Sequence, residues 1–269
     1  MHELARQVRF SVNPFLPEQS EGANSFASMP SGEGLAIFFE LSVELAGEID
    51  HATGFVVNVA EIDSKVRQHA VPVFISKVKE NFCMAEHISL FTVTEILHLS
   101  WNQLEGIFVP ARLNKLSLKL NPFRKIMICS EDSDMVFFSE KFEFAATHKL
   151  WNNDFTDVQN RKIFGKCANP TGHGHNYVVE VTVKMPVSGK DFSIGDFEKI
   201  VDSELISLID HKNLNLDIEY FKSVIATVEN IAVFAWEKLV KKFPASAKGG
   251  LHCVTVWETD KTSCSYYGC

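Results

Sequence analysis

Tyr177-Val178-Val179-Glu180-Val181-Thr182-Val183-Lys184-Met185 is the stretch that decides the fold. Val179, Val181 and Val183 alternate with Glu180 and Thr182, the two-residue period of a strand with one apolar and one polar face. Beyond Pro186 and Gly189 the period changes. Phe197, Ile200, Val201, Leu205, Leu208 and Ile209 recur at the spacing of an amphipathic helix. Upstream, residues 135–150 read as a second strand. Downstream, 228–243 read as a second helix, stopped by Pro244 and Gly249-Gly250. Strands over 251–257 and 263–267 complete the order β-β-α-α-β-β.

The first 130 residues show the same order. Residues 8–15 and 34–49 read as strands, the second alternating Phe39, Leu41, Val43 and Leu45. Helices are expected over 59–70, stopped near Pro72, and over 93–108, followed by strands at 115–120 and 124–129. The strand-poor acidic run Ser130-Glu131-Asp132-Ser133-Asp134 separates the halves. The expectation is an α+β chain of two units, 1–130 and 135–269, each an antiparallel sheet with two helices on one face. Such a unit leaves two open sheet edges. Joining sheets edge to edge into a barrel covers them, so a homo-oligomer is expected, with a trimer of two-unit chains as the geometric guess.

Composition narrows the class. The chain has 269 residues, 46% apolar and 22% charged, which suits a folded globular protein. A net charge of −8 argues against a nucleic-acid partner. No apolar run approaches the ~20 residues of a membrane span, and the start Met1-His2-Glu3-Leu4-Ala5-Arg6 has no signal-like hydrophobic region. Six cysteines (Cys83, Cys129, Cys167, Cys253, Cys264, Cys269) form no C-x-x-C pair, as in a reduced cytoplasmic chain.

The chemistry concentrates in Gly165-Lys166-Cys167-Ala168-Asn169-Pro170-Thr171-Gly172-His173-Gly174-His175-Asn176. His173 and His175 are two apart, so on extended backbone their imidazoles share a face and can meet at one ion. Catalytic zinc takes three protein ligands and keeps an open position. His148, ending the preceding strand, is the candidate third ligand. Cys167 lies six residues before His173 across a loop holding Pro170. Spacing alone leaves it either a fourth ligand or a base whose thiolate the cation favours. Asp210-His211, at the end of a helix, is the material of a proton relay. Glu258, after an apolar run, becomes a bidentate acceptor for a planar N–H pair if it is buried.

These residues resemble a known family. Phe142-Glu143-Phe144-Ala145-Ala146-Thr147-His148, the run from Asn160 through Asn176, Leu208-Ile209-Asp210-His211-Lys212-Asn213-Leu214, Thr227-Val228-Glu229-Asn230 and Trp257-Glu258-Thr259-Asp260-Lys261 are similar to the 6-pyruvoyltetrahydropterin synthase family over about residues 135–269. The related 6-carboxytetrahydropterin synthases typically place the Cys four residues before that His, so the spacing here favours the pyruvoyl enzyme. The resemblance implies the tunnelling fold, with sites at unit interfaces and contributions from a neighbouring chain.

It further implies a zinc-dependent lyase converting 7,8-dihydroneopterin triphosphate to 6-pyruvoyltetrahydropterin with release of triphosphate. His148, His173 and His175 would hold zinc, Cys167 would be the base, and Asp210 with His211 the relay. Glu258 would anchor the pterin and Thr227 line its pocket, while Arg161, Lys162 and Lys166 are the nearest cations for the triphosphate. The alternatives are carboxytetrahydropterin synthesis, side-chain cleavage of a dihydroneopterin, or a non-catalytic zinc- or pterin-binding module. Three departures stand out. Val228 sits where the family often has Thr, Trp257 replaces a Tyr, and residues 1–130 are additional. That half contains His2, His51, His69, His87 and His98 without a His-x-His, and is read as a degenerate, non-catalytic copy.

Overall fold

The computed structural model describes residues 1–16, 36–188, 192–244 and 249–268; Gly34, Gly189 and Cys269 lie outside them. The chain divides into two compact units, Met1–Phe138 with Met185–Lys190, and Ser139–Lys184 with Asp191–Cys269. No helix among the described residues is long and apolar enough to cross a membrane.

In the first unit, strands β1 (His2–Val12), β2 (Ile37–Gly47), β3 (Arg112–Lys119) and β4 (Arg124–Cys129) form an antiparallel sheet in chain order. Register pairs Val8 with Leu41, Leu41 with Leu118, and Leu116 with Ile128, so the apolar set of every strand lies on one buried face. The opposite face carries cross-strand ion pairs, Lys115 to Glu44 at 3.1 Å and Lys119 to Glu40 at 3.3 Å.

Three helices pack on the buried face, where two were expected: α1 (Val59–His69), α2 (Val71–Cys83) and α3 (Leu90–Leu104). The helix over 59–70 does stop before Pro72. That proline then occupies the first turn of α2, where a missing N–H costs nothing. Phe74, buried on α2, makes edge contacts at 5.0 Å with both Phe10 and Phe39, which fixes the extra helix to the sheet.

In the second unit, β5 (Met135–His148), β6 (His173–Pro186), β8 (Gly250–Thr259) and β9 (Thr262–Tyr266) lie side by side, and the two-residue β7 (Lys212–Asn213) pairs parallel with β5. The period-2 valines behave as read. Val179 faces Val256 and Val181 faces Val254, all buried beneath helices. Helix α5 (Ile194–Val201) runs on through a π turn at Asp202–Ile206 to Ile209, and Phe197, Val201, Leu205 and Ile209 are its buried side. The other covering helix, α6 (Val228–Leu239), ends earlier than 243.

Two features differ from the sequence reading. Strand β6 begins at His173, ahead of the expected Tyr177, so both histidines are part of the ladder. An additional helix α4 (Asp157–Phe164) fills the connection from β5, closed by a Thr156–Gln159 capping box. Architecturally this is an α+β protein built on antiparallel sheets with helices on one face.

Candidate metal centre

Two strands bring three imidazoles together where β5 ends. His148 is the last residue of β5, and His173 and His175 open β6 on one face of the strand. Their ligand nitrogens all lie within 4.8 Å of one another. The approach of the two strands depends on the intervening glycines. Gly172 has φ +71, and a Cβ there would stand 2.8 Å from the carbonyl oxygen of His148. At Gly174 it would meet the Thr147 methyl at 3.3 Å. The glycines thus admit the neighbouring backbone, a firmer reason for their presence than space around an ion.

The cluster is chemically set up for a cation. His148 is fully buried, and its Nδ1 lies 2.7 Å from the carbonyl oxygen of Ala226. A carbonyl only accepts, so Nδ1 carries the proton and Nε2 presents its lone pair. That Nε2 lies 3.1 Å from Nε2 of His173. Two nitrogens on a tetrahedral zinc at 2.0–2.1 Å would be about 3.3 Å apart, so the observed separation fits a shared ion. The buried His173 Nδ1 and His175 Nε2 have no hydrogen-bond partner. Burial, foremost, lowers the pKa of His148, and His173 is lowered by burial and by His175. Both rings are therefore neutral at physiological pH, the form a metal needs.

Two further groups close around the imidazoles. Glu258, near the end of β8, places Oε1 3.4 Å from His148 Nε2 and 3.6 Å from His175 Nε2. Tyr177 is fully buried, stacks on Phe144 at 4.9 Å, and holds its hydroxyl 3.4 Å from the ring nitrogens of His148. Burial above all, helped by Glu258 and Cys167, pushes that hydroxyl far above its usual pKa, so it stays protonated as a donor.

Cys167 sits half-buried in the 3₁₀ turn Gly165–Ala168. Its carbonyl accepts from Leu150 N at 3.0 Å, which ties the turn to the residues just beyond His148. The thiol is not among the groups within 4.8 Å of one another.

The other predicted residues are placed differently. Asp210 accepts from Ala145 N at 2.9 Å and pairs with His211 Nδ1 at 2.8 Å, and the Ala145 N–H and His211 hold its carboxyl below the usual range. His211 takes φ +56 just past the helix, and its side chain is 82% exposed. Ala145 precedes His148 by three residues, about 10 Å along a strand, so this chain does not bring the pair onto its own imidazole cluster. Thr227 is the N-cap of α6, its side-chain oxygen accepting from Asn230 N. Sequence reasoning missed Ala226, whose main-chain carbonyl leaves no side-chain signal. It also missed Tyr177, which a further step of two from His175 would have placed on the same face.

Comparison with known proteins follows this geometry. Residues 138–269 match the family described as 6-pyruvoyl tetrahydropterin synthase. The 6-pyruvoyl tetrahydrobiopterin synthase of Homo sapiens is 41% identical over 133 residues, covering 90% of that protein and 48% of this chain. This chain belongs to the 6-pyruvoyl tetrahydropterin synthase family. The synthase of Poecilia reticulata is likewise 41% identical over 128 residues, 85% of that protein and 46% of this one. The structure of 6-pyruvoyl tetrahydropterin synthase from Caenorhabditis elegans aligns at a TM-score of 0.46 and 34% identity, covering 96% of that chain and 50% of this one. The family match spans β5 to β9 and contains all three histidines.

Proposed function

We propose that this protein is a lyase that converts 7,8-dihydroneopterin triphosphate to 6-pyruvoyltetrahydropterin and releases triphosphate. The observation that carries the proposal is three imidazoles whose ligand nitrogens lie within 4.8 Å of one another, in a chain of this family that also holds a half-buried thiol at Cys167. His148, His173 and His175 would hold zinc, which, when bound, polarises substrate hydroxyls and acidifies the neighbouring C–H positions.

The remaining chemistry belongs to the chain's own groups. Cys167 takes a carbon-bound proton as thiolate. Glu258, whose Oε1 lies 3.4 Å and 3.6 Å from two of the imidazoles, anchors the pterin through its 2-amino and ring N–H groups. Tyr177, kept protonated by burial, orients that carboxylate. Thr227 lines the substrate pocket from the head of α6.

Asp210 holds His211 in one tautomer, and the exposed imidazole of the pair suits a role completed by a second copy. A homo-oligomer with composite sites therefore belongs to the proposal, with the first unit as a non-catalytic copy. Free thiols at the five described cysteines support a cytoplasmic setting.

The test is incubation of the purified protein with 7,8-dihydroneopterin triphosphate, with and without chelator, with products identified by mass. Pyruvoyl product and free triphosphate, lost on chelation and restored by zinc, are the expected result. A product that keeps the triphosphate, or undiminished turnover without metal, would refute it.

A further inference from the structure

A pocket of about 420 Å³ opens in the second unit beside the residues that flank His148 and Ala226, within the size range of small-molecule sites. Its wall starts at Lys149, one residue past His148, and returns at Ile225, one residue before Ala226. The bond from His148 to the Ala226 carbonyl joins those two ends. Pocket and cluster therefore share a rigid seam.

The lining is polar and its electrostatics single out one group. Lys149 Nζ sits 3.7 Å from the centroid of the Trp151 ring, and no carboxylate pairs with it among the described residues. Its backbone is pinned on both sides. Asn215 Oδ1 accepts from Lys149 N at 2.7 Å, and Asn215 Nδ2 donates to Lys149 O at 3.1 Å. Lys222, the other lysine of the lining, is already paired with Glu219 at 2.6 Å. Asp154, exposed, adds a carboxylate to the same lining. Lys149 is thus the lysine of this pocket with no ion-pair partner among the described residues, its head over an aromatic plane and its backbone bound by a side-chain amide. Arg161, Lys162 and Lys166, the cations nearest the thiol in sequence, are all exposed on α4 and the following turn, and none lines this pocket.

We infer that this pocket seats the triphosphate arm of the substrate, with Lys149 as its fixed cation. The inference rests on the lyase proposed above. In that reaction the carbon–oxygen bond to triphosphate breaks with both electrons leaving on the oxygen, and a proton lost from an adjacent carbon balances the step. A cation in this pocket would offset the negative charge gathering on the departing triphosphate.

The experiment uses the full-length protein and inorganic triphosphate as the probe, titrated calorimetrically into wild type, Lys149→Met, Lys149→Arg, Lys222→Met and Lys166→Met. Turnover of 7,8-dihydroneopterin triphosphate is measured alongside, and circular dichroism checks that each variant folds. Lys149→Met is expected to weaken triphosphate binding and raise KM by about tenfold or more, the scale of one charge-assisted contact, with Lys149→Arg restoring most of it. Lys222→Met and Lys166→Met are expected to change binding less than threefold. Wild-type binding by folded Lys149→Met, or a larger loss in Lys166→Met, overturns the assignment. Lys149-dependent binding without turnover in wild type would support the anion seat while refuting the proposed activity.

Discussion

Gly172→Ala is the most informative single change. With φ at +71, an alanine there suffers left-handed strain of about 1–2 kcal/mol. Its Cβ would also stand 2.8 Å from the His148 carbonyl oxygen, where ordinary contact starts at 3.4 Å, so the two strands must part by about 0.6 Å. Both atoms belong to backbone or Cβ, and no rotamer relieves the clash. Metal–ligand distances tolerate about 0.2 Å, so His148 would leave its place opposite His173. By analogy with lost outer-shell support, zinc affinity should fall 10–100-fold. That corresponds to about 1.4–2.7 kcal/mol of lost metal-linked stability on top of the strain. Gly54→Ala is the control, because φ is +75 there and nothing lies within 4 Å of the added carbon. Chelator competition gives zinc affinity, and thermal unfolding with and without metal gives stability. Equal stability losses in the two variants, with unchanged zinc affinity in Gly172→Ala, would refute the reasoning.

Cys167→Ala is expected to keep full zinc content by elemental analysis while losing 10²- to 10⁴-fold in kcat, the usual weight of a general base. The Asp210 carboxyl is held below its ordinary pKa by the Ala145 N–H and His211, so its stabilisation is complete above the carboxylate range. That stabilisation drains away as pH falls through and below the ordinary value of about 3.9. Asp210→Asn should therefore narrow the stability gap between pH 6 and pH 3 in denaturant titrations. In the first unit, Arg6 grips Asp63 through Nε at 3.1 Å and Nη2 at 2.7 Å, both groups being half-buried. Asp63→Asn should cost about 1–2 kcal/mol in urea unfolding and leave zinc affinity untouched.

Periodicity carried most of the second unit. The alternating valines of β6 and Phe197, Val201, Leu205 and Ile209 of the helical stripe are buried where their patterns put them, whereas Leu208 of the same stripe is exposed beyond the π turn at Asp202–Ile206. The two-residue step from His173 to His175 likewise fixed their common direction. What periodicity missed was punctuation with two meanings. Pro72 ends one helix and starts the next, and only the burial of Phe74 and Val78 reveals α2. At the site, side chains were legible and main chain was not: Ala226 matters through its carbonyl, which every residue possesses. Glu258 was read as a candidate bidentate acceptor, while its distance from the imidazoles depends on β8 crossing near β6, a tertiary fact absent from local spacing. His211 was found by its neighbour Asp210, but its exposure could not be read from that pair.

The hydrogen bond from His148 to the Ala226 carbonyl has an evolutionary corollary. An oriented histidine often relies on a carboxylate that one nucleotide change can erase. Here the orienting group is part of the polypeptide itself, so any amino acid inherited at that position still supplies it. Drift in side chains along this loop leaves the imidazole's proton where it is, whereas an insertion or deletion that reroutes the loop would disarm the site at a stroke.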